Sequence, residues 1–343
     1  METTALRPGY AISRVIKGGW QLAGGHGDVD KQRAIQDMRA FLDAGITTFD
    51  CADIYTGVEA LIGEFIAANA AECRAANLKV HTKLVPDLDR LNDCTPAELE
   101  ATIDRSLMRL RVERLDLVQF FWWDLSLGAP VETLATLAKL QQHGKIDRLG
   151  ITNWDVAGIA PFVDAGLDIV SAQVQYSVLD ARPKEGLDTW CATHGIALIG
   201  YGVLAGGFLT QRWLGVPDPG FDFTNRSLVK YRLIIDEFGG WDLFQALLRA
   251  LNEVGARHDV DIATVAARYA LEQPQVAAII VGARYAEHLP AISAIAHLRL
   301  APEDIATIDA ILETRQGPAG PVYGLEGDRD SRHGAIMKYN LGR

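Results

Sequence analysis

Asp50, Tyr55 and Lys83 are three polar residues whose types form a coherent set for moving a proton. A lysine ammonium beside a phenol favours the phenolate and lowers the tyrosine pKa, and a carboxylate keeps the lysine charged and oriented. Such a phenol can give its proton to a carbonyl oxygen while a hydride arrives at the carbon. Taken singly, each residue has a plainer reading. An Asp at a strand end often caps the next helix, a loop Tyr usually packs, and a strand-end Lys is usually solvated. The chemistry therefore depends on elements that bring the three to one place.

Short apolar runs recur along the chain at 15–19, 47–50, 80–83, 115–120, 148–151, 169–174, 197–201 and 277–281. Several are almost wholly apolar, as expected for parallel strands covered on both faces. Amphipathic stretches lie between them. Residues 30–44 carry Ala34, Ile35, Met38, Phe41 and Leu42 at helical spacing. The stretch 96–110 follows Thr95, an N-cap candidate with Pro96 at the first helical position and Glu98 at the third. The stretch 131–143 stops at Gly144, a normal helix end. Eight strand candidates, each followed by a helix, is the count of an α/β chain folded as a (β/α)8 TIM barrel. A doubly wound sheet is the other architecture, but its GxGxxG fingerprint is missing, since KGGWQLAGGHG at 17–27 is wrongly spaced. Residues 209–240 lack the rhythm and predict a long loop between strands seven and eight. Residues 317–343, dense in Gly and charge, predict a C-terminal extension beyond a single barrel domain spanning 1–316.

A barrel of this kind carries its functional groups at the C-terminal strand ends and in the loops beyond. The second strand candidate ends at Asp50 with Tyr55 in the following loop, and the third ends at Lys83. The fifth runs into Thr152 and Asn153, the sixth into Gln173 and the seventh into Tyr201. All these groups are thereby expected on one rim.

Composition narrows the partners. The 343 residues carry a net charge of −11 with no basic run, which argues against nucleic acid and anionic membrane surfaces. No apolar run approaches the ~18 residues of a membrane span, and METTALRPGYAISRV lacks an apolar signal segment. The four cysteines, Cys51, Cys73, Cys94 and Cys191, show no metal-ligand spacing and read as reduced thiols of a cytoplasmic protein. No metal is expected: His143, His194, His258 and His297 read as surface or capping residues and His81 as a core residue. Oligomeric state is left open.

The string GITTFDCADIYTGVEALIGEFI at 45–66 resembles the aldo-keto reductase signature, with Asp and Tyr separated by four residues. Further matches are HTK at 81–83, LDLVQFFWWD at 115–124, GKIDRLGITNW at 144–154, AQVQYSVLD at 172–180, GYGVLAGGFL at 200–209 and IIVGARYAEHL at 279–289. The WWD string and GGWDLFQ at 239–245 resemble a plant-plastid and bacterial subgroup of that family. The resemblance implies NADP(H)-dependent reduction of a small-molecule aldehyde or ketone. In it, Tyr55 is the proton donor, Lys83 lowers its pKa and Asp50 pairs with Lys83. Thr152, Asn153 and Gln173 are implied to hold the nicotinamide carboxamide, and Tyr201 to stack on the ring. Gly19, Trp20 and Asp50 are implied beside the cofactor, and Gly202, Leu204 and Gly206 around its pyrophosphate. Gly282, Ala283, Arg284 and His288 occupy the segment that grips the adenosine 2′-phosphate. A guanidinium suits that phosphate because it can bind two oxygens at once. The family's Asn four residues past His288 is Ile292 here.

One position departs from the family. Its fourth catalytic residue is a His on the fourth strand, and here that place is Phe121. Losing one donor to a developing oxyanion typically costs about 2.7–4 kcal/mol. Three readings stay open. His26, Trp122 or His333 takes the missing part; the site reduces activated C=C bonds instead; or the chain is an NADPH-binding sensor with little turnover. Trp20, Tyr55, Phe121, Trp122 and Trp123 are the expected substrate walls, with Trp241 as a further candidate, and together they imply an aromatic or flat substrate. Arg329, Arg332 and His333 lie in the tail, which in this family closes over the pocket, and are either solvated or turned to an anionic substrate group.

Overall fold

The computed structural model describes residues 1–23 and 28–341. Eight parallel strands close into a barrel: β3 (Val15–Gly18), β4 (Thr48–Asp50), β5 (Lys79–Leu84), β6 (Leu115–Phe120), β7 (Ile146–Thr152), β8 (Ile169–Gln175), β9 (Ala197–Tyr201) and β10 (Val276–Gly282). The ring is sealed by β10 on β3, where Ile279 pairs with Val15 and Gly282 with Gly18. Every expected strand is present, with ends moved by no more than a residue or two.

Two further strands precede the barrel and were not expected from the sequence. β1 (Thr3–Arg7) and β2 (Tyr10–Ser13) form an antiparallel hairpin. Leu6, Tyr10 and Ile12 are buried with Ile16, Leu117, Val170, Ile199, Ala278 and Ile280, so the hairpin plugs the N-terminal mouth of the barrel. That end is filled with apolar side chains, which leaves the C-terminal end for chemistry.

The outer layer consists of helices whose apolar stripes face the strands. α1 (Lys31–Asp43) buries Ala34, Met38, Phe41 and Leu42 and is capped by the Asp30 side chain. α2 is Val58–Ala68 and α3 is Ala70–Ala75. α4 (Pro96–Leu110) begins with the expected capping box between Thr95 and Glu98. Gly63 in α2 is required by close packing, since a Cβ there would stand 2.0 Å from the Arg109 carbonyl oxygen. α5 (Pro130–Gln142), α6 (Val156–Asp164) and α7 (Leu187–Thr193) continue the ring.

The segment expected as a long loop holds a helix, α8 (Arg226–Phe238), followed by α9 (Trp241–His258) and α10 (Ile262–Leu271). Phe208, Trp213, Tyr231, Ile234, Phe238, Trp241 and Phe244 form a second apolar core here. Trp241 belongs to that core and donates its indole N–H to the Val216 carbonyl, so it is not a wall of the expected site. α11 (Leu289–His297) and α12 (Pro302–Leu312) complete the outer layer, and the tail adds the short α13 (Gly324–Gly327).

Candidate active site

Asp50 closes β4 and Lys83 lies near the end of β5, both almost fully buried. The Lys83 Nζ donates to Asp50 Oδ1 at 2.6 Å and to the Cys51 carbonyl at 2.8 Å. The other carboxylate oxygen accepts from Gln119 Nε2 at 3.1 Å and Gln173 Nε2 at 2.7 Å. One carboxylate thus ties β5, β6 and β8 together. Gln119 was missed from the sequence, although it is the one uncharged polar residue of an otherwise mostly apolar strand, LDLVQF. Burial opposes the charge on Lys83, but Asp50, with Tyr55 and Cys51 adding, raises the pKa above the ordinary lysine value.

Tyr55 stands in the turn between β4 and α2, and Lys83 Nζ lies 5.1 Å from its ring centroid. Burial pushes the phenol above its ordinary pKa, with Lys83 pulling it back and Asp50 pushing it up. As expected, Lys83 acts downward on the Tyr55 pKa, but burial is larger and leaves the phenol raised. Proton transfer from a phenol held above its ordinary value is assisted by the ammonium, which stabilises the phenolate left behind.

Trp20 packs on Tyr55 with ring centroids 4.9 Å apart and donates its indole N–H to Ser227 of α8 at 3.2 Å. Phe121 follows β6, buried, with Trp123 edge-on at 4.8 Å, Trp154 at 6.2 Å and Tyr323 of the tail edge-on at 5.6 Å. Trp122 is corrected as a wall and as a substitute donor: its side chain is 1% exposed and its N–H donates to the Leu127 carbonyl. His333 is also corrected, because it turns to Glu237 at 3.1 Å. His26 lies outside the described residues. Arg329 pairs with Asp124 and Arg332 with Asp236, so both tail arginines have carboxylate partners within the protein.

The expected cofactor residues line up along the C-terminal rim. Tyr201 donates its hydroxyl to Asn153 Oδ1 at 2.8 Å, and Asn153 adopts a left-handed backbone with φ +65°. Thr152 donates to the Gln173 carbonyl at 3.0 Å. Gln173 spends one N–H on Asp50, which leaves its side-chain oxygen and its second N–H to offer a carboxamide. Gly202 (φ +73°) and Gly206 (φ +64°) lie under Tyr231 of α8: a Cβ on Gly202 would meet the Tyr231 hydroxyl at 2.2 Å. Leu204 accepts the Gly207 N–H and shapes that loop. Gly19 donates its N–H to the Asp50 carbonyl at 2.8 Å and leaves no room for a Cβ.

At the outer end of β10, the Tyr285 hydroxyl accepts from the Asp30 N–H and the Ala286 N–H donates to Asp37. These bonds dock the segment bearing Gly282, Ala283, Arg284 and His288 on the start of α1. Arg284 is part-exposed and His288 exposed. A dinucleotide fits this rim on two observations. Gln21 Oε1 is buried without a partner among the described residues, and the Gln21 amide fills the place a Cβ on Gly282 would take. An unpaired acceptor beside a bare backbone suits a polar ligand lying close to the chain.

The tail carries a buried ion quartet the sequence did not reveal. Arg182 donates to Asp180 at 2.6 Å and to Glu326 at 3.2 Å, and Lys230 of α8 lies 3.3 Å from Glu326. Burial works against the Glu326 charge, yet Lys230 and Arg182 hold its carboxyl down at about 2. Beyond it, Tyr339 packs on Trp123 at 5.0 Å, its carbonyl accepts the Leu88 N–H, and the Leu341 N–H donates to Asp87. The tail therefore crosses the rim from α8 to the loop after β5.

A barrel whose C-terminal rim joins a buried Lys–Asp pair to a tyrosine defines a class of oxidoreductase scaffolds. The aldo/keto reductase family matches residues 14–313, and the chain belongs to that family. It is 26% identical over 290 residues to the NADH-specific methylglyoxal reductase of Escherichia coli (strain K12), covering 78% of this chain and 85% of that protein. It is 25% identical over 257 residues to flagellar radial spoke protein 5 of Chlamydomonas reinhardtii, covering 64% of this chain and 49% of that protein, so the match spans about half of that relative's length. Among solved structures, the glycerol dehydrogenase AKR11B4 of Gluconobacter oxydans superposes with a TM-score of 0.76 at 23% identity, covering 90% of this chain and 94% of that one. An aldo-keto reductase of Klebsiella pneumoniae in complex with NADPH superposes at 0.68 and 22% identity, covering 92% and 98%. Among the described residues, no helix is long and apolar enough to cross a membrane, and no cluster of ligand-type side chains is arranged for a metal.

Proposed function

We propose that this chain is an NADP(H)-dependent reductase of aldehydes and ketones in which Tyr55 gives the proton to the substrate oxygen. The observation that carries the reading is the Lys83 ammonium, fixed by Asp50 at 2.6 Å and lying 5.1 Å from the Tyr55 ring. NADPH, when bound, supplies the hydride that adds to the carbonyl carbon. Everything else falls to the chain. Tyr55 releases its proton to the oxygen as charge builds there, and Lys83 stabilises the phenolate that remains. Asp50, anchored by Gln119 and Gln173, keeps Lys83 charged and aimed.

Asn153, Gln173 and Thr152 would hold the carboxamide, Tyr201 the face of the ring, and the loop of Gly202, Leu204 and Gly206 the pyrophosphate. Arg284 and His288 favour a 2′-phosphate, hence NADP over NAD. Trp20 packs on Tyr55, and Trp123 and Tyr323 pack on Phe121, an aromatic lining that suits an aromatic or flat apolar carbonyl compound. The WWD string supports a place in the subgroup that carries it, and the barrel and tail act as one catalytic unit.

The test is NADPH absorbance against a panel of aldehydes, ketones and enones. Oxidation on addition of an aldehyde or ketone is the expected result. NADPH consumption confined to enones, or tight NADPH binding without consumption by any substrate, contradicts it.

A further inference from the structure

The site lacks a polar atom at Phe121, and the three rings packed on that phenyl differ in what they offer. Trp154 directs its N–H toward the Trp122 carbonyl at 3.4 Å, and the Trp123 N–H is buried without a partner among the described residues. The third ring is Tyr323, which carries a hydroxyl and arrives from the tail. Resting on the reading above, we propose that the Tyr323 hydroxyl is the second hydrogen-bond donor to the substrate's carbonyl oxygen, taking the part for which Phe121 has no polar atom.

Three features support this assignment. Tyr323 is held at φ +63°, a conformation uncommon for a bulky residue and one that clusters at functional sites. The residues that hold it are close by: Glu326, three positions on, locks α13 to Arg182 and Lys230, and Lys230 Nζ stands 5.7 Å from the Tyr323 ring. Finally, Lys230 Nζ stands 5.4 Å from the Tyr201 ring as well, so one side of Tyr323 meets Phe121 and the other shares a cation with the tyrosine expected at the nicotinamide.

The two phenols have different surroundings, and these set different roles. Tyr55 has Lys83, whose charge eases loss of its proton. Burial and Glu326 hold Tyr323 well above the ordinary phenol value, so it keeps its proton and serves as a donor only. In the step itself the carbonyl C=O π pair moves to oxygen as the hydride of NADPH adds at carbon. The oxygen takes its proton from Tyr55, leaving a phenolate, while the Tyr323 O–H bond stays intact and donates to the same oxygen.

The experiment uses the full chain with four variants: Tyr323→Phe, Tyr323→Phe with Phe121→His, Trp123→Phe, and Tyr55→Phe. Three quantities are read on each: carbonyl turnover, NADPH affinity by fluorescence, and benzoate affinity of the NADP⁺-loaded chain by tryptophan quenching. A benzoate oxygen accepts the same donors that a developing alkoxide does. Tyr323→Phe is expected to lower kcat by ~10²–10³-fold, to weaken benzoate binding at least tenfold, and to leave NADPH affinity within about twofold of the parent. Adding Phe121→His should recover at least tenfold of the lost rate, because an imidazole restores a donor. Tyr323→Phe within about threefold of the parent on both turnover and benzoate overturns the proposal. So does a loss that follows Trp123→Phe instead, which would make the indole the donor. A parent that reduces no carbonyl, or a Tyr55→Phe variant that still does, overturns the functional reading itself; the benzoate result then still decides whether Tyr323 donates. A parent that neither reduces a carbonyl nor binds benzoate overturns both.

Discussion

Two walls face each other across the rim, and they are held by different means. The barrel wall holds Asp50 and Lys83 on parallel ladders in fixed register, Asp50 paired with His81 and Lys83 with Gln119, with Tyr55 in the turn that follows β4. The tail wall, with Tyr323 and Tyr339, hangs on side chains, chiefly the quartet of Asp180, Arg182, Glu326 and Lys230. A ladder-held wall loosens only when the barrel unfolds, whereas a side-chain-held wall can release locally. Chemistry that needs rigid proton geometry sits on the first wall. In the proposed mechanism the second wall carries Tyr323, the donor that keeps its proton.

The largest expected effect breaks the barrel wall. Lys83→Met removes the cation that assists Tyr55 and strands the Asp50 carboxylate. Carbonyl turnover should fall by ~10²–10⁴-fold, and stability should drop by about 3–5 kcal/mol, as when one partner of a buried pair is removed. Steady-state kinetics and urea unfolding read both. Glu326→Gln breaks the tail wall instead. Amide exchange should rise across residues 317–341 while the barrel strands stay protected, and turnover should fall through loss of the Tyr323 contact. If the barrel strands lose protection equally, the two walls are not independent.

A third effect lies below the site. His81 is buried without a partner for either ring nitrogen among the described residues, and burial, with Lys83 and Lys79 adding, lowers its pKa to about 3. The unfolded chain takes a proton there near pH 6.5, the folded chain only near 3. Its contribution to stability is therefore full above pH 6.5 and is lost as pH falls toward 3. His81→Leu should flatten the fall in stability between pH 7 and pH 4 by a few kcal/mol on an order-of-magnitude basis, read as urea midpoints at both values. The smallest effect sharpens the boundary between the walls. Gly202→Ala puts a Cβ at φ +73° against the Tyr231 hydroxyl and should destabilise by roughly 1–2 kcal/mol and loosen NADPH. Adding Tyr231→Phe should recover part of the loss.

The same contrast explains what was legible in the sequence. Parallel strands buried on both faces read as apolar runs, so all eight strands were found, and the polar residues ending them stood out as Asp50, Lys83, Thr152, Gln173 and Tyr201. The β1–β2 hairpin was missed because each strand is only a few residues long and takes its burial from the barrel mouth it plugs. Trp122 was misjudged because residues at a strand end can point either way, and tertiary packing turned it inward. Tyr323 and Lys230 carried no local signal. Their placement depends on ion pairs such as Arg182 with Glu326, 144 residues apart, and no periodicity records such a contact.

The most direct measurement compares the parent with Tyr55→Phe for NADPH oxidation on addition of an aromatic aldehyde, with NADPH affinity read on both chains. The expected result is turnover by the parent, a loss of at least ~10²-fold in the variant, and nearly equal NADPH affinity. A Tyr55→Phe chain that reduces the aldehyde as fast as the parent would contradict the assignment of Tyr55 as the acid, and with it the role given to Lys83 and Asp50.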